Sequence, residues 1–382
     1  MESSYFLIGA DIVPTKSNTE LFNSGDVDKL VGLELKSVLS QADYRIFNLE
    51  VPLTDKTNSP IRKNGPSLSA PVSTINGYKS LGIDVLSLAN NHILDQGDSG
   101  LKSTVNVLDN AGITHVGAGD NIYLAAKPYK FTFGNKKIGV YACAEHEFSI
   151  ATTTKAGANP FNILYSFDHV EVLKEETDYV IVLYHGGKEH YRYPSPNLQK
   201  ICRRFIEKGA DLVICQHSHC IGCEEDYAGG KIVYGQGNFI FDDKKNECWE
   251  TSLLIKVDEG LNISYIPIER KNNTVRIANN NSSQDILAAF ALRSEEIKKP
   301  GFIEQNYVQL ANAHFMKYLN GLSGKRSILF RIANRSIGGK LNKYYLKKAY
   351  KAESFIRISN YVDCESHREL LSKGLENQFT KQ

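Results

Sequence analysis

Residues 178–220 read DYVIVLYHGGKEHYRYPSPNLQKICRRFIEKGADLVICQHSHC, and the changes of texture inside this stretch decide the fold. Tyr179 to Tyr184 is an unbroken run of Tyr, Val, Ile and Leu, the pattern of a strand buried on both faces. From Ser195 to Gly209 the period becomes helical. Leu198, Ile201, Cys202, Phe205 and Ile206 fall at i, i+3, i+4, i+7 and i+8, with Ser195 as N-cap, Pro196 at the first helical position and Gly209 just past the end. Leu212 to Cys215 is a second short apolar run. Strand and helix alternating in this way argue for an α/β domain.

The same texture extends outward in both directions. Tyr5 to Gly9, Tyr44 to Asn48, Val85 to Ala89, Lys137 to Cys143 and Lys231 to Tyr234 are further predicted strands. Ser99 to Ala111 is a predicted helix, with Leu101, Val105 and Leu108 inward and Gly112 as its stop. After about residue 268 strand-like runs give way to helical stretches such as Asp285 to Lys299 and Gln305 to Asn320. A boundary between Glu269 and Thr274 is therefore expected, giving domains of residues 1–268 and 269–382. Within the second, residues 305–352 carry ten Lys or Arg and no acid: Lys317, Lys325, Arg326, Arg331, Arg335, Lys340, Lys343, Lys347, Lys348 and Lys351. One reading is a solvated face balanced by acids elsewhere in the fold. The other is a surface for an anionic partner such as lipid headgroups, nucleic acid or an acidic polymer.

At 382 residues, 42% hydrophobic and 23% charged, the chain is globular, and disorder, collagen and small disulfide scaffolds are excluded. Forty-five Lys and Arg against 43 Asp and Glu leave a net charge of +2, so any charge-driven partner must be recognised locally. The stretch MESSYFLIGADIV lacks the basic and apolar regions of a secretory leader. No apolar run approaches the roughly 18 residues needed to span a bilayer. A cytoplasmic location is expected, in which the seven cysteines are reduced thiols.

Residue types able to bind metal sit directly after the predicted strands, where an α/β fold gathers side chains at one edge of its sheet. Asp11 follows the first strand, Asn48 and Glu50 end the second, Asn91 and His92 end the third, His185 follows Tyr179 to Tyr184, and His217 and His219 follow Leu212 to Cys215. Glu145 and His146 follow Lys137 to Cys143 toward the same edge. Ala89-Asn90-Asn91-His92 leaves three polar side chains beyond an apolar strand, either as caps for the helix beginning near Asp98 or as site residues. His217-Ser218-His219, if extended, points two imidazoles the same way, an arrangement suited to Zn, Mn or Fe. Cys220 and Cys223 form the one CxxC of the chain and are read as small buried residues, since a structural zinc site needs a second ligand pair.

Taken in order, LIGADIVP, ADYRIFNLEVPLT, LGIDVLSLANNHILDQGDSGL, GITHVGAG, DYVIVLYHGGKEHYRYPSPNLQ, GADLVICQHSHC and IVYGQGNFIF resemble the CapA, or poly-gamma-glutamate capsule biosynthesis, family over about residues 4–242. That family is in turn similar to the calcineurin-like metallophosphoesterases. The resemblance implies a four-layer αββα sandwich with one or two divalent metal ions at the strand ends, followed here by a mainly helical C-terminal extension. It implies Asp11, Glu50, Asn91, His185, His217 and His219 as metal ligands. Glu50 would bridge, His185 and His217 would serve one metal and His219 the other, and His92 would be the phosphate-contacting, proton-donating histidine. Asn48, Lys63, Glu189, Tyr191, Arg192 and Asn238 are implied as substrate-binding or supporting residues. Two positions depart from the phosphoesterase pattern: residue 13 is valine where those enzymes carry a histidine ligand, and Glu50 replaces an aspartate. The implied function is a metal-dependent hydrolase of bacterial capsule, polyglutamate or surface-polysaccharide biosynthesis, acting on a phosphoester or on an amide or ester in an anionic polymer. The alternative is a non-catalytic biosynthesis or export factor that binds polymer or capsule-synthesis proteins.

Overall fold

The computed structural model describes residues 4–56, 60–242, 246–323 and 328–380. In chain order its strands are β1 (Tyr5–Ile12), β2 (Tyr44–Leu49), β3 (Val85–Ser87), β4 (Thr114–Val116), β5 (Ala118–Gly119), β6 (Tyr129–Phe133), β7 (Lys136–Ala144), β8 (Gly157–Ala158), β9 (Tyr179–His185), β10 (Leu212–Gln216), β11 (Glu224–Tyr227), β12 (Gly230–Val233), β13 (Asn238–Ile240), β14 (Thr251–Asp258), β15 (Ile263–Lys271) and β16 (Thr274–Ile277). One sheet has the order β16-β15-β14-β1-β2-β3-β4, with β13 alongside β1, and the second has the order β11-β12-β10-β9-β7-β6.

In each sheet the parallel strands advance in one direction, β1-β2-β3-β4 and β7-β9-β10-β12. Crossovers between parallel strands share one hand, so strands laid down in a single direction place their connecting helices on a single face. The other face must be buried by something else, and here the two sheets bury each other. The alternation along the second sheet records this. Ile138, Val140 and Ala142 of β7, Ile181 and Leu183 of β9, and Leu212 and Ile214 of β10 join the core shared with the first sheet. Their neighbours Tyr141, Cys143, Val180, Val182, Val213 and Cys215 join a second core under the helices Ser166–Glu176 and Pro196–Glu207. Phe6 of β1 meets Phe131 and Phe133 of β6 edge-on, with centroids 5.8 and 5.1 Å apart. The result is the four-layer αββα arrangement.

The helix at 196–207 forms for the reasons its sequence supplies. Ser195 Oγ accepts a hydrogen bond from Leu198 N at 3.0 Å, Pro196 opens the first turn, and Phe205 is fully buried against Phe161, Phe167 and Tyr184.

The chain divides into compact units at Met1–Ile303 and Glu304–Gln382, later than the 268/269 boundary expected. Residues 269–303 stay with the first unit because β15 and β16 extend its sheet by antiparallel pairing. The helix Asn280–Glu296 also buries Ile286 and Phe290 in its core. The second unit is helical: most of Phe302–Leu322, then Ile328–Ser336, Lys340–Ala349, Ala352–Asp363 and Glu365–Thr380. Lys325 and Arg326 of the basic stretch lie outside the described residues. Among the described residues no helix is long and apolar enough to cross a membrane.

Candidate metal centre

Strand register brings the polar strand ends together. Asp11 is opposite both Asn48 and Asn238, and His185 is opposite both Ala144 and Gln216. The carboxyl edges of the two sheets thus meet, and contacts cross between them. Asn48 Nδ2 lies 3.3 Å from His185 Nδ1, His185 Nε2 lies 3.2 Å from Glu50 Oε1, and His219 Nδ1 lies 3.4 Å from Asp11 Oδ2.

Two groups of ligand atoms result. Glu50, His185 and His217 each place one within 4.8 Å of the others, and so do Asp11, Glu50 and His219. Glu50 belongs to both. Asn91 Oδ1 is 3.1 Å from His185 Nε2, while its amide nitrogen donates to Glu147 at 2.9 Å. Asp11 and Glu50 are fully buried. Asp11 Oδ2, both Glu50 oxygens and His217 Nδ1 have no hydrogen bond among the described residues. Carboxylates in that state are costly to bury, and oxygen and imidazole donors in this number suit a divalent transition metal. The donor set therefore fits one or two such ions.

The electrostatics separate the two histidines of the HxH. Burial and the neighbouring imidazoles of His185 and His219 hold His217 well below the ordinary histidine value, in the neutral form a metal requires. Burial pushes His219 the same way, but Glu50 and Asp11 beside it prevail and raise it to about 9. Burial would raise Asp11, but the His219 bond and the charge of His185 outweigh it and leave that carboxyl below its ordinary value. The backbone is not extended at the HxH. His217 and His219 have φ of 87° and 55°, in the region non-glycine residues rarely occupy. Their imidazoles converge because of that turn, with centroids 6.0 Å apart.

The remaining expected residues divide. His92 Nδ1 is 2.6 Å from Asp95 Oδ2, which fixes the proton on Nδ1 and leaves Nε2 to exchange one. Asn48 donates to Asp11 Oδ1 at 2.7 Å and accepts from Asn90 at 3.2 Å, so it holds the carboxylate in place. Asn238 Oδ1 accepts from His219 at 2.8 Å. Lys63 is not an open cation: its side chain is 4% exposed and paired with Asp95. Arg192 donates to the carbonyl of Ile221 at 3.0 Å and faces Glu247, tying loops together. Glu189 is exposed, and Tyr191 packs edge-on against Tyr193. None of these four is brought to the cluster as a substrate contact. Glu145 lines a small pocket with Asn91, Glu147, His185 and His217, while His146 is exposed. Cys220 and Cys223 are fully buried and, like all seven cysteines, unbridged. Gly237, at φ 84°, lies where an added Cβ would be 2.6 Å from Ser252 Cβ, so glycine is required there.

Sequence reading missed the roles of Asp95, Glu147, His190 and Trp249. Asp95 had a signal, three residues after His92 and ahead of a helix. Trp249 had none: its ring lies 4.7 Å from that of His219, and its Nε1 donates to His190 Nε2 at 2.9 Å. It comes from a turn thirty positions downstream.

The comparisons agree with one another in direction. The model of a family described as bacterial capsule synthesis protein matches residues 7–243. The chain is 30% identical over 240 residues to the capsule biosynthesis protein CapA of Bacillus anthracis, covering 61% of this chain and 58% of that protein. It is 26% identical over 212 residues to the PGA biosynthesis protein CapA of Bacillus subtilis, covering 54% and 56%. The chain thus spans little more than half the length of these relatives. Similar solved structures include a phosphatase from Mycoplasma pneumoniae, at 15% identity, 71% and 95% coverage and a TM-score of 0.44. A second is a 5'-nucleotidase from Staphylococcus aureus, at 14% identity, 76% and 58% coverage and a TM-score of 0.43.

Proposed function

Because the chain belongs to the bacterial capsule synthesis protein family, we propose that it is a metal-dependent hydrolase of capsule, polyglutamate or surface-polysaccharide biosynthesis. Its substrate class is a phosphoester, or an amide or ester in an anionic polymer. The observation that carries this reading is Glu50, fully buried, without a hydrogen bond and shared between two groups of ligand atoms. Asp11, Glu50 and His219 would hold one ion, and Glu50, Asn91, His185 and His217 the other. Mn, Fe or Zn bound there supplies Lewis acidity, lowering the pKa of water and neutralising charge at the attacked centre.

The chain's own residues do the rest. His92, held by Asp95 through Nδ1, gives a proton from Nε2 to the leaving oxygen or nitrogen. Asn48 and Asn238 keep Asp11 and His219 in orientation, as outer partners of metal ligands do. Lys188, three residues after His185, is half-buried and close enough for its charge to act on His217. With Lys63 and Arg192 occupied, Lys188 is the cation we assign to an anionic substrate.

One observation favours the second reading, a non-catalytic factor that binds polymer or capsule-synthesis proteins. Val13 is buried where phosphoesterases carry a ligand, and its backbone N–H is engaged by Ile240 O at 2.8 Å. Elemental analysis of the purified protein beside Asp11→Ala and His219→Ala separates the two. Two equivalents of metal, reduced by either change, with hydrolysis in a screen of phosphoesters and glutamyl amides, support the enzyme. Absence of metal after reconstitution with Mn and Zn would refute it.

A further inference from the structure

The helices Ile328–Ser336 and Lys340–Ala349 form a hairpin within the second unit. Gly338 and Gly339, at φ 62° and 82°, turn the chain between them. Asn334 Oδ1 accepts from Asn342 N at 2.8 Å, and Phe330 meets Tyr345 edge-on at 6.2 Å. Leu346 is buried. The rest of the apolar surface points outward: Ile328, Leu329 and Ile332 are 73%, 80% and 59% exposed and share one helix face, and Tyr344 is 66% exposed. Arg331 and Arg335 border the Ile328/Leu329/Ile332 face on one side by helical spacing. Lys340, Lys347 and Lys348 stand at i−4, i+3 and i+4 from Tyr344. Among the described residues, none of Lys317, Arg331, Arg335, Lys340, Lys343, Lys347, Lys348 and Lys351 is ion-paired. The acids that would make this stretch an ordinary balanced surface are not beside it.

We propose that this hairpin docks on an anionic lipid surface. A soluble polyanion would neutralise the lysines and arginines but leave Ile328, Leu329 and Ile332 in water. A bilayer interface takes both, with cations among the headgroups, aliphatic side chains at the acyl boundary and tyrosine between them. With no helix able to cross a membrane among the described residues, the contact is interfacial and reversible. Nothing in it depends on the metal centre, so it stands or falls separately from the proposed hydrolase.

The test is sedimentation of the full chain with vesicles of equimolar phosphatidylglycerol and phosphatidylcholine, or of phosphatidylcholine alone. The wild type is expected to sediment with the anionic vesicles and to be released by salt. Each lysine near an anionic surface contributes a factor of about five, so Lys343→Ala with Lys347→Ala weakens partitioning by roughly 25-fold. Leu329→Asp with Ile332→Asp abolishes it, while circular dichroism shows unchanged helix content because both side chains are already exposed. No sedimentation with anionic vesicles, or equal sedimentation with neutral ones, would overturn the proposal. So would unchanged binding by Leu329→Asp with Ile332→Asp together with capture of soluble polyglutamate, which assigns the cations to a polymer in water.

Discussion

The edge of the two sheets and the basic hairpin solve opposite problems with charge. At the sheet edge, Asp11, Glu50 and three imidazoles are buried together, so their energy depends on a cation that the surrounding chain does not supply. In the hairpin, cations are exposed and unpaired beside aliphatic side chains that no core covers. One region is incomplete without a positive partner inside it, the other without a negative surface outside it. Both therefore depart from the ordinary rules that buried charge is paired and exposed surface is polar. Such departures are where function is expected.

The comparison breaks first, and with the largest effect, at Glu50. As it belongs to both groups of ligand atoms, Glu50→Ala should remove both metal equivalents, while His217→Ala removes one. Equal metal loss in the two variants would show that the centre is not shared. Next, His92→Asn should slow hydrolysis by about 10²–10⁴-fold, the range for losing a general acid, with metal content unchanged. A rate that follows metal content instead would make His92 a ligand and not a proton donor. Third, Phe205→Ala should destabilise the first unit by about 3–5 kcal/mol, since the ring is fully buried against three other aromatic residues. Chemical denaturation read by tyrosine and tryptophan fluorescence measures this directly.

The sheet edge was legible in the sequence because the physics that places it is local. A short apolar run followed at once by Asp, Asn, Glu or His marks a strand end, and parallel register then does the assembling. What could not be read was whatever arrives from a distance. Trp249 packs on His219 through a turn between β13 and β14. Lys63 is drawn into Asp95 by burial, which exposed-looking sequence around it did not signal. The positive φ at His217 and His219 was also invisible, since an HxH spacing is equally compatible with an extended segment. The late boundary has the same origin. Ile286 and Phe290 give the helix Asn280–Glu296 an apolar spacing like that of the tail, and only the strands it covers show that it belongs to the first unit. For the tail itself, the acid-free run was legible as composition, but whether acids elsewhere balance it is a tertiary question.

The smallest effect is also the sharpest contrast between the two regions. Leu329→Ala removes the same kind of aliphatic bulk that costs about 2–5 kcal/mol in a core. Leu329 is 80% exposed, however, and substitutions on such surface usually change stability by less than about 0.5 kcal/mol. Thermal unfolding without lipid should therefore not distinguish it from wild type. In anionic vesicles the wild type should gain stability through binding of the folded state, and the variant should gain less, because part of the apolar contact is gone. A variant that is destabilised in plain buffer would mean that Leu329 is covered in solution by protein, and that the hairpin closes on the chain instead of on a lipid surface.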